Sequence, residues 1–225
     1  MYADVRLQHI GIVQLKQIRL SMNTPETFDF KFYEWEEKFR DKPFLKQPFG
    51  DEWEIYTWGE VGQYARKLAT GLRSLGLREN AHIGLISKNC REWIIADLAI
   101  VMAGYISVPF FPNLTSGEIN KLLTFGDVDL LFAGKVEDWE EQKAGVPEGM
   151  PIISFPTYKG CSDITEGHQW FDFINKHEPL QEPHKPKLSD IWTIIFTSGT
   201  TGNPKGVVLN YLANQSTAKL ALDNN

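Results

Sequence analysis

Cysteine is nearly missing: Cys90 and Cys161 are the only two among 225 residues. They stand far apart with no C-x-x-C step, which excludes a disulfide framework and a cysteine-type zinc site. The expected setting is reduced and cytoplasmic. Long apolar runs are missing too. The longest, IIADLAIVMAGY, is interrupted by Asp97 and is too short to cross a bilayer. Positive charge is in deficit, with a net charge of −6 and a pI near 5.4. That balance excludes tracking of a nucleic-acid backbone by bulk electrostatics, so any anion must be gripped locally. There is no internal repeat. The opening MYADVRLQHIGIVQLKQIRLS has no secretory core or cleavage site, its apolar residues being scattered among Arg6, His9, Lys16 and Arg19. A basic amphipathic helix lying peripherally on a membrane and a helix packed on its own domain both fit that pattern; the second is expected.

What is present is a soluble globular composition, 42% hydrophobic and 23% charged. Thr57 and Glu60 have capping-box spacing, followed by Val61, Tyr64, Ala65, Leu68, Leu72 and Leu75 at helical steps and by Gly76 as a left-handed stop. HIGLIS, residues 82–87, reads as a strand. Asn89 is placed to cap a helix running to about Ala103, almost wholly apolar apart from Arg91, Glu92 and Asp97. ISVPFF, 106–111, reads as a strand that Pro109 confines to an edge or ends in a loop. Thr115 and Glu118 form a second capping box with Leu114 and Ile119 as its staple, and DVDLLFA is a further strand. A Glu-rich helix is predicted near 136–143, a strand at PIISF, a short helix pinned by Trp170, Phe171, Phe173 and Ile174, and an extended connection through HEPLQEPHKPKLSD. The alternation predicts an α/β fold, sheets layered with covering helices.

WTIIF, 192–196, has the composition of a buried strand, and TSGTTGNPKG follows it. Serine, threonine and glycine dominate that loop. Glycines let backbone N–H groups approach a ligand closely, hydroxyls rotate to meet phosphate oxygens, and Lys205 adds a point charge. The loop is not the common nucleotide P-loop, because neither Gly199 nor Gly202 has a glycine five residues on. It is not a dinucleotide fingerprint either, since Thr197 stands where the first glycine belongs.

T-S-G-T-T-G-N-P-K-G resembles the signature loop of the adenylate-forming superfamily of acyl- and aryl-CoA synthetases, luciferases and peptide-synthetase adenylation domains. W-G-E-V, L-x-x-L-G-L, S-K-N-C-R-E-W and A-x-x-A-G-Y-I-S-V-P follow one another in the order of a long- or medium-chain acyl-CoA synthetase, extending the resemblance over roughly residues 28–212. The resemblance implies residues 1–27 as an amino-terminal extension and 28–225 as the amino-terminal portion of a large AMP-binding domain. The phosphate loop would be 197–206, and the carboxyl-terminal lid would be lacking. It implies that Thr197, Ser198, Gly199, Thr200, Thr201, Gly202 and Lys205 wrap the β- and γ-phosphates of ATP. Lys205 would act in catalysis and Thr197 would also contact Mg²⁺. The implied reaction activates a carboxylic acid, long-chain fatty by the upstream resemblance, to an acyl adenylate and then to a coenzyme A thioester. With the lid and the acidic metal ligand outside these residues, little turnover is expected of the chain alone. The alternative is a truncated, non-catalytic module binding an anion or a partner. Tyr211 stands where many relatives carry a histidine near the acyl pocket. Cys90 is expected in the core, Glu137, Glu140 and Glu141 on a solvated helix face, and His168, His177 and His184 are assigned no role.

Overall fold

The computed structural model describes residues 27–49, 52–197 and 204–223. The amphipathic stretch 1–21 lies outside them. The described residues open with helix α1 (Phe28–Lys38) and the antiparallel strands β1 (Pro43–Phe49) and β2 (Glu52–Thr57), which form a two-stranded sheet of their own. Helix α2 (Trp58–Ser74) follows, then β3 (His82–Ile86), α3 (Arg91–Ala103), β4 (Ile106–Phe110), α4 (Ser116–Phe125) and β5 (Val128–Ala133). Next come α5 (Trp139–Gln142) with a 3-10 turn at Lys143–Gly145, β6 (Ile152–Ser154), β7 (His168–Gln169) and α6 (Trp170–Ile174). The last elements are β8 (Ile191–Thr197), β9 (Lys205–Asn210) and α7 (Tyr211–Asp223). Seven strands make one sheet in the order β7-β6-β5-β3-β4-β8-β9, parallel throughout except for the antiparallel pair β8–β9.

Alternation along the strands sorts the core onto the two faces of this sheet. On β5, Leu130 and Phe132 join the cluster built with Leu68, Leu72 and Ile95 of α2 and α3, while Leu131 and Ala133 join Ile119 and Leu123 of α4 on the other side. Both capping boxes form as expected: Thr57 accepts from the Glu60 N–H at 3.2 Å while the Thr57 N–H donates to the Glu60 carboxylate at 2.7 Å. Thr115 and Glu118 repeat the exchange. Gly76 and Gly104 take left-handed backbone, φ 66° and 88°, at the ends of α2 and α3.

Several expectations are corrected. Pro109 does not sit on an edge: β4 lies between β3 and β8. The sheet tolerates it because β4 and β8 are in register only at Ser107↔Thr193, two residues before the missing N–H. The strand ends at Phe110, leaving Phe111 exposed. Asn89 is not the cap of α3. Cys90 holds that position without a side-chain hydrogen bond. The helix near 136–143 shrinks to Trp139–Gln142, because Val136 is still fully buried against the sheet and the Asp138 side chain starts the turn by accepting from the Glu141 N–H. Strand β9 was not foreseen; KGVVLN has no flanking break of its own beyond Pro204.

Asp97 is half-buried on α3, and burial pushes its carboxyl up to about 6 from an ordinary 3.8, with the Ser107 hydroxyl opposing the rise. The folded state then holds its proton over a range where the unfolded chain has released it. This group's contribution is therefore whole below about pH 4 and is lost as pH climbs through about 6. Asp97→Asn is expected to raise stability at pH 8 by on the order of 2 kcal/mol and to do nothing below about pH 4. Urea melts at the two pH values check this.

Candidate active site at the carboxyl end of the sheet

Strand β8 runs parallel to β4, so its end at Thr197 emerges on the same side as the loops that follow β3, β4 and β5. Strand β9 returns antiparallel beside it, with Thr197↔Lys205, Phe196↔Gly206, Ile195↔Val207 and Ile194↔Val208 in register. The signature stretch is therefore a hairpin connection. Thr197 and Lys205 are its two exposed feet, held opposite each other by the ladder. Ser198, Gly199, Thr200, Thr201 and Gly202 lie outside the described residues. Under the feet, Phe196 is buried against Phe110 and Phe125, ring centroids 6.0 Å away in each case. The Thr193 hydroxyl donates to the Ser107 carbonyl at 2.8 Å. These contacts fasten the base of the hairpin to the core.

Two strands away lies a second feature of the same end. The connection after β3 leads to β4 on one side of it, whereas the connection after β5 leads to β6 on the other, and β3 and β5 are neighbours. Such a reversal leaves a crevice outside the strand ends, the usual ligand position in open α/β sheets. The crevice is edged by Ser87–Cys90 and Gly134–Asp138. Lys135 takes left-handed backbone there, φ 32°, unusual for a residue with a side chain. Its carbonyl accepts from the Lys88 N–H at 3.3 Å, and its ammonium donates to the Asn89 carbonyl at 3.1 Å. A hollow of about 480 Å³ adjoins, walled by Lys88, Pro112, Leu114, Glu137 and Gln142. By strand spacing this crevice and the foot at Thr197 are roughly 10 Å apart.

Glu137, Glu140 and Glu141 are exposed to solvent as expected, although Glu137 precedes the helix, and they carry partners. Lys88 pairs with Glu137 and holds its carboxyl below the ordinary range. Glu141 accepts from the Ser116 hydroxyl at 2.6 Å and from the Ser116 N–H at 2.9 Å, which lowers its pKa and covers the start of α4. Cys90 is buried as expected, and burial pushes its thiol up to about 11, so it is no nucleophile. Tyr211 is buried at the first turn of α7, its N–H donating to the Asp190 carbonyl at 3.2 Å.

The cluster that sequence reading missed is centred on Arg91 and Glu92. Assigned there to a polar face, their side chains are 5% and 1% exposed. The Arg91 Nε donates to Glu92 at 2.8 Å, its Nη1 donates to Glu54, and Tyr158 donates its hydroxyl to the other Glu92 oxygen. The rings of Tyr56 and Phe49 flank the guanidinium at 4.3 and 5.2 Å. Burial lowers the pKa of Arg91, but the hydrogen bonds to Glu92 and Glu54 outweigh it; burial and the Glu92 charge together push Tyr158 far up, keeping its hydroxyl a donor. A second hollow, about 490 Å³, lies between α1 and α2 over the bidentate Arg66–Glu36 pair, both contacts 2.6 Å. It touches none of the loops at the strand ends.

A mostly parallel sheet covered by helices on both faces, closed by the antiparallel pair β8–β9, defines an α/β domain. The chain belongs to the AMP-binding enzyme family, whose model matches residues 32–223. It is similar to "Long chain acyl-CoA synthetase 1" of Arabidopsis thaliana, 29% identical over 167 residues covering 70% of this chain and 25% of that protein. It is also similar to "Long-chain-fatty-acid--CoA ligase ACSBG2" of Rattus norvegicus, 25% identical over 200 residues, 84% of this chain and 30% of that one. "4-coumarate--CoA ligase 1" of Solanum tuberosum is 29% identical over 180 residues, 77% of this chain and 31% of that one. The chain thus spans about a quarter to a third of the curated relatives it matches. Among solved structures, an anthranilate CoA ligase in complex with anthranoyl-AMP superimposes with a TM-score of 0.75 at 21% identity, over 88% of this chain and 37% of that one. At that identity it speaks for the fold alone. No helix among the described residues is long and apolar enough to cross a membrane.

Proposed function

We propose that this chain carries the phosphate-gripping loop of an ATP-dependent acid–CoA ligase, with residues 28–225 contributing to its large domain and 1–27 preceding it. The observation that carries the reading is the signature stretch strung between Thr197 and Lys205 at the carboxyl end of the sheet. In the reaction, a carboxylate oxygen of the acid bonds to the α-phosphorus of ATP, the bond to the bridging oxygen breaks, and pyrophosphate leaves. Negative charge accumulates on that leaving group. The Lys205 ammonium and the hydroxyls and N–H groups of Thr197–Gly202 are the donors that stabilise it, as groups aimed at a developing anion do. The sulfur of coenzyme A then bonds to the acyl carbon and AMP departs.

Mg²⁺ suits the donors only in part. The exposed Thr197 hydroxyl is a hard oxygen of the kind Mg²⁺ accepts, and among the described residues no group of three or more His, Cys, Asp or Glu is gathered to cage a cation. Thr197 would hold it together with phosphate and water oxygens, and the ion would neutralise phosphate charge. The similarity to long-chain synthetases supports a fatty acid as substrate. The similarity to 4-coumarate–CoA ligases supports an aromatic acid as the second reading. Isothermal titration of the chain with magnesium pyrophosphate tests the loop, with saturable one-to-one binding expected. Heats no larger than those of dilution would remove the basis for the proposal. Comparing palmitate with 4-coumarate in acid-dependent ATP–pyrophosphate exchange separates the two substrate readings.

A further inference from the structure

The β1–β2 hairpin shares no strand with the main sheet. Two strands alone are barely stable in water, so the order of this hairpin comes from its dock. The dock has two parts. At one, Phe44 stacks on Trp58 and Tyr56 on Tyr64, ring centroids 3.7 and 5.2 Å apart, beside the point where β2 runs into α2. The other is Arg91: Gln47 accepts from its N–H at 3.3 Å, Glu54 takes one end of its guanidinium, and Phe49 and Tyr56 enclose the plane. We propose that this hairpin is a flap, latched by the Arg91 guanidinium, that opens as one unit while the α/β layers stay folded, and whose closure sets the mouth of the crevice between β3 and β5.

Two features make the hairpin separable at this seam. When it lifts, Arg91 keeps Glu92 at 2.8 Å on its own helix and Glu92 keeps Tyr158, so opening hydrates a charge pair instead of stranding one charge in the core. Because one planar group contacts three hairpin residues, Glu54, Phe49 and Tyr56, those contacts are lost together, which favours two discrete arrangements over a continuum. The connection to the crevice is short. Phe49 stacks on Tyr158, ring centroids 5.2 Å apart, and the Lys135 ammonium lies over the same Tyr158 ring at 4.7 Å. Lys135 in turn holds the Asn89 carbonyl through its ammonium and the Lys88 N–H through its carbonyl.

Hydrogen exchange resolved by NMR on the chain tests the flap. Leu123→Ala opens a cavity in the cluster on the far face of the sheet, away from the hairpin. It is expected to speed the exchange of β3 and β5 amides, which open by global unfolding, and to leave the β1–β2 ladder amides unchanged. Equal acceleration of both sets would mean that the hairpin opens only with the whole fold, and the flap would be discarded. Glu54→Gln is half-exposed and leaves the core intact; it is expected to speed the ladder amides about tenfold, with the Lys88 amide following. A Lys88 amide that stays at its wild-type rate in this variant would overturn the link to the crevice.

Discussion

Glu92→Leu is expected to remove about 3–5 kcal/mol from the stability of the fold, the usual consequence of leaving one buried charge without its partner. Glu92 sits almost wholly buried at the first turn of α3, accepting from Arg91 on one oxygen and from Tyr158 on the other. Leucine fills the volume but satisfies neither donor. Arg91 would keep only Glu54, whose side chain is 53% exposed and therefore better solvated and a weaker counter-charge. The Tyr158 hydroxyl would be left buried with no acceptor. The cost belongs to the broken network and not to the loss of polarity as such. Arg91→Met, Glu92→Leu and Tyr158→Phe combined should recover most of it, because apolar replacements of similar volume often match a buried ion pair. Urea denaturation of the single and triple variants measures both halves; a triple variant no more stable than Glu92→Leu would contradict the account.

Lys205→Ala is expected to weaken pyrophosphate binding by about 10- to 100-fold, the range for a hydrogen bond made by a charged group. Where acid-dependent ATP–pyrophosphate exchange is measurable, it should slow about 10²- to 10³-fold, as when one preorganised donor is withdrawn from a developing anion. Stability should hardly move, because Lys205 is exposed at the first position of β9 and its side chain bears no part of the core. That contrast is what makes the variant informative. Lys205→Arg keeps the charge on a differently shaped head and should fall between the two. Equal pyrophosphate affinity in wild type and Lys205→Ala would place the phosphates elsewhere.

The helices were legible in the sequence wherever they carried their own punctuation. Thr57 with Glu60, Thr115 with Glu118, and the left-handed Gly76 are local devices whose partners lie within a turn, so spacing alone reveals them. The position of the candidate loop was legible for the same reason: a run of branched and aromatic residues ended where the small residues began. What spacing could not reveal was decided across long separations. Pro109 reads as an edge residue only if strand order is unknown, and that order is set by helices α3 and α4 packing on opposite faces. Arg91 and Glu92 read as a polar face because the acceptors and rings that permit their burial come from residues 47–56 and 158. Glu141 is solvated as read, but its partner Ser116, twenty-five positions earlier, is not legible from spacing. Strand β9 was hidden because its pairing partner, not its own short sequence, fixes its conformation.

The cross-strand partnership of Thr197 with Lys205 also bears on how the protein can vary. Lengthening the seven-residue span between them leaves both anchors in place, so insertions there reshape the loop without moving Lys205. Inserting a single residue inside β9 is a different event. Side chains alternate sides along a strand, so one extra residue would carry Val208 out of the interior and rotate the residues before it to the opposite face. Homologous proteins with altered cradles should therefore show their length changes between these two anchors and never within the returning strand.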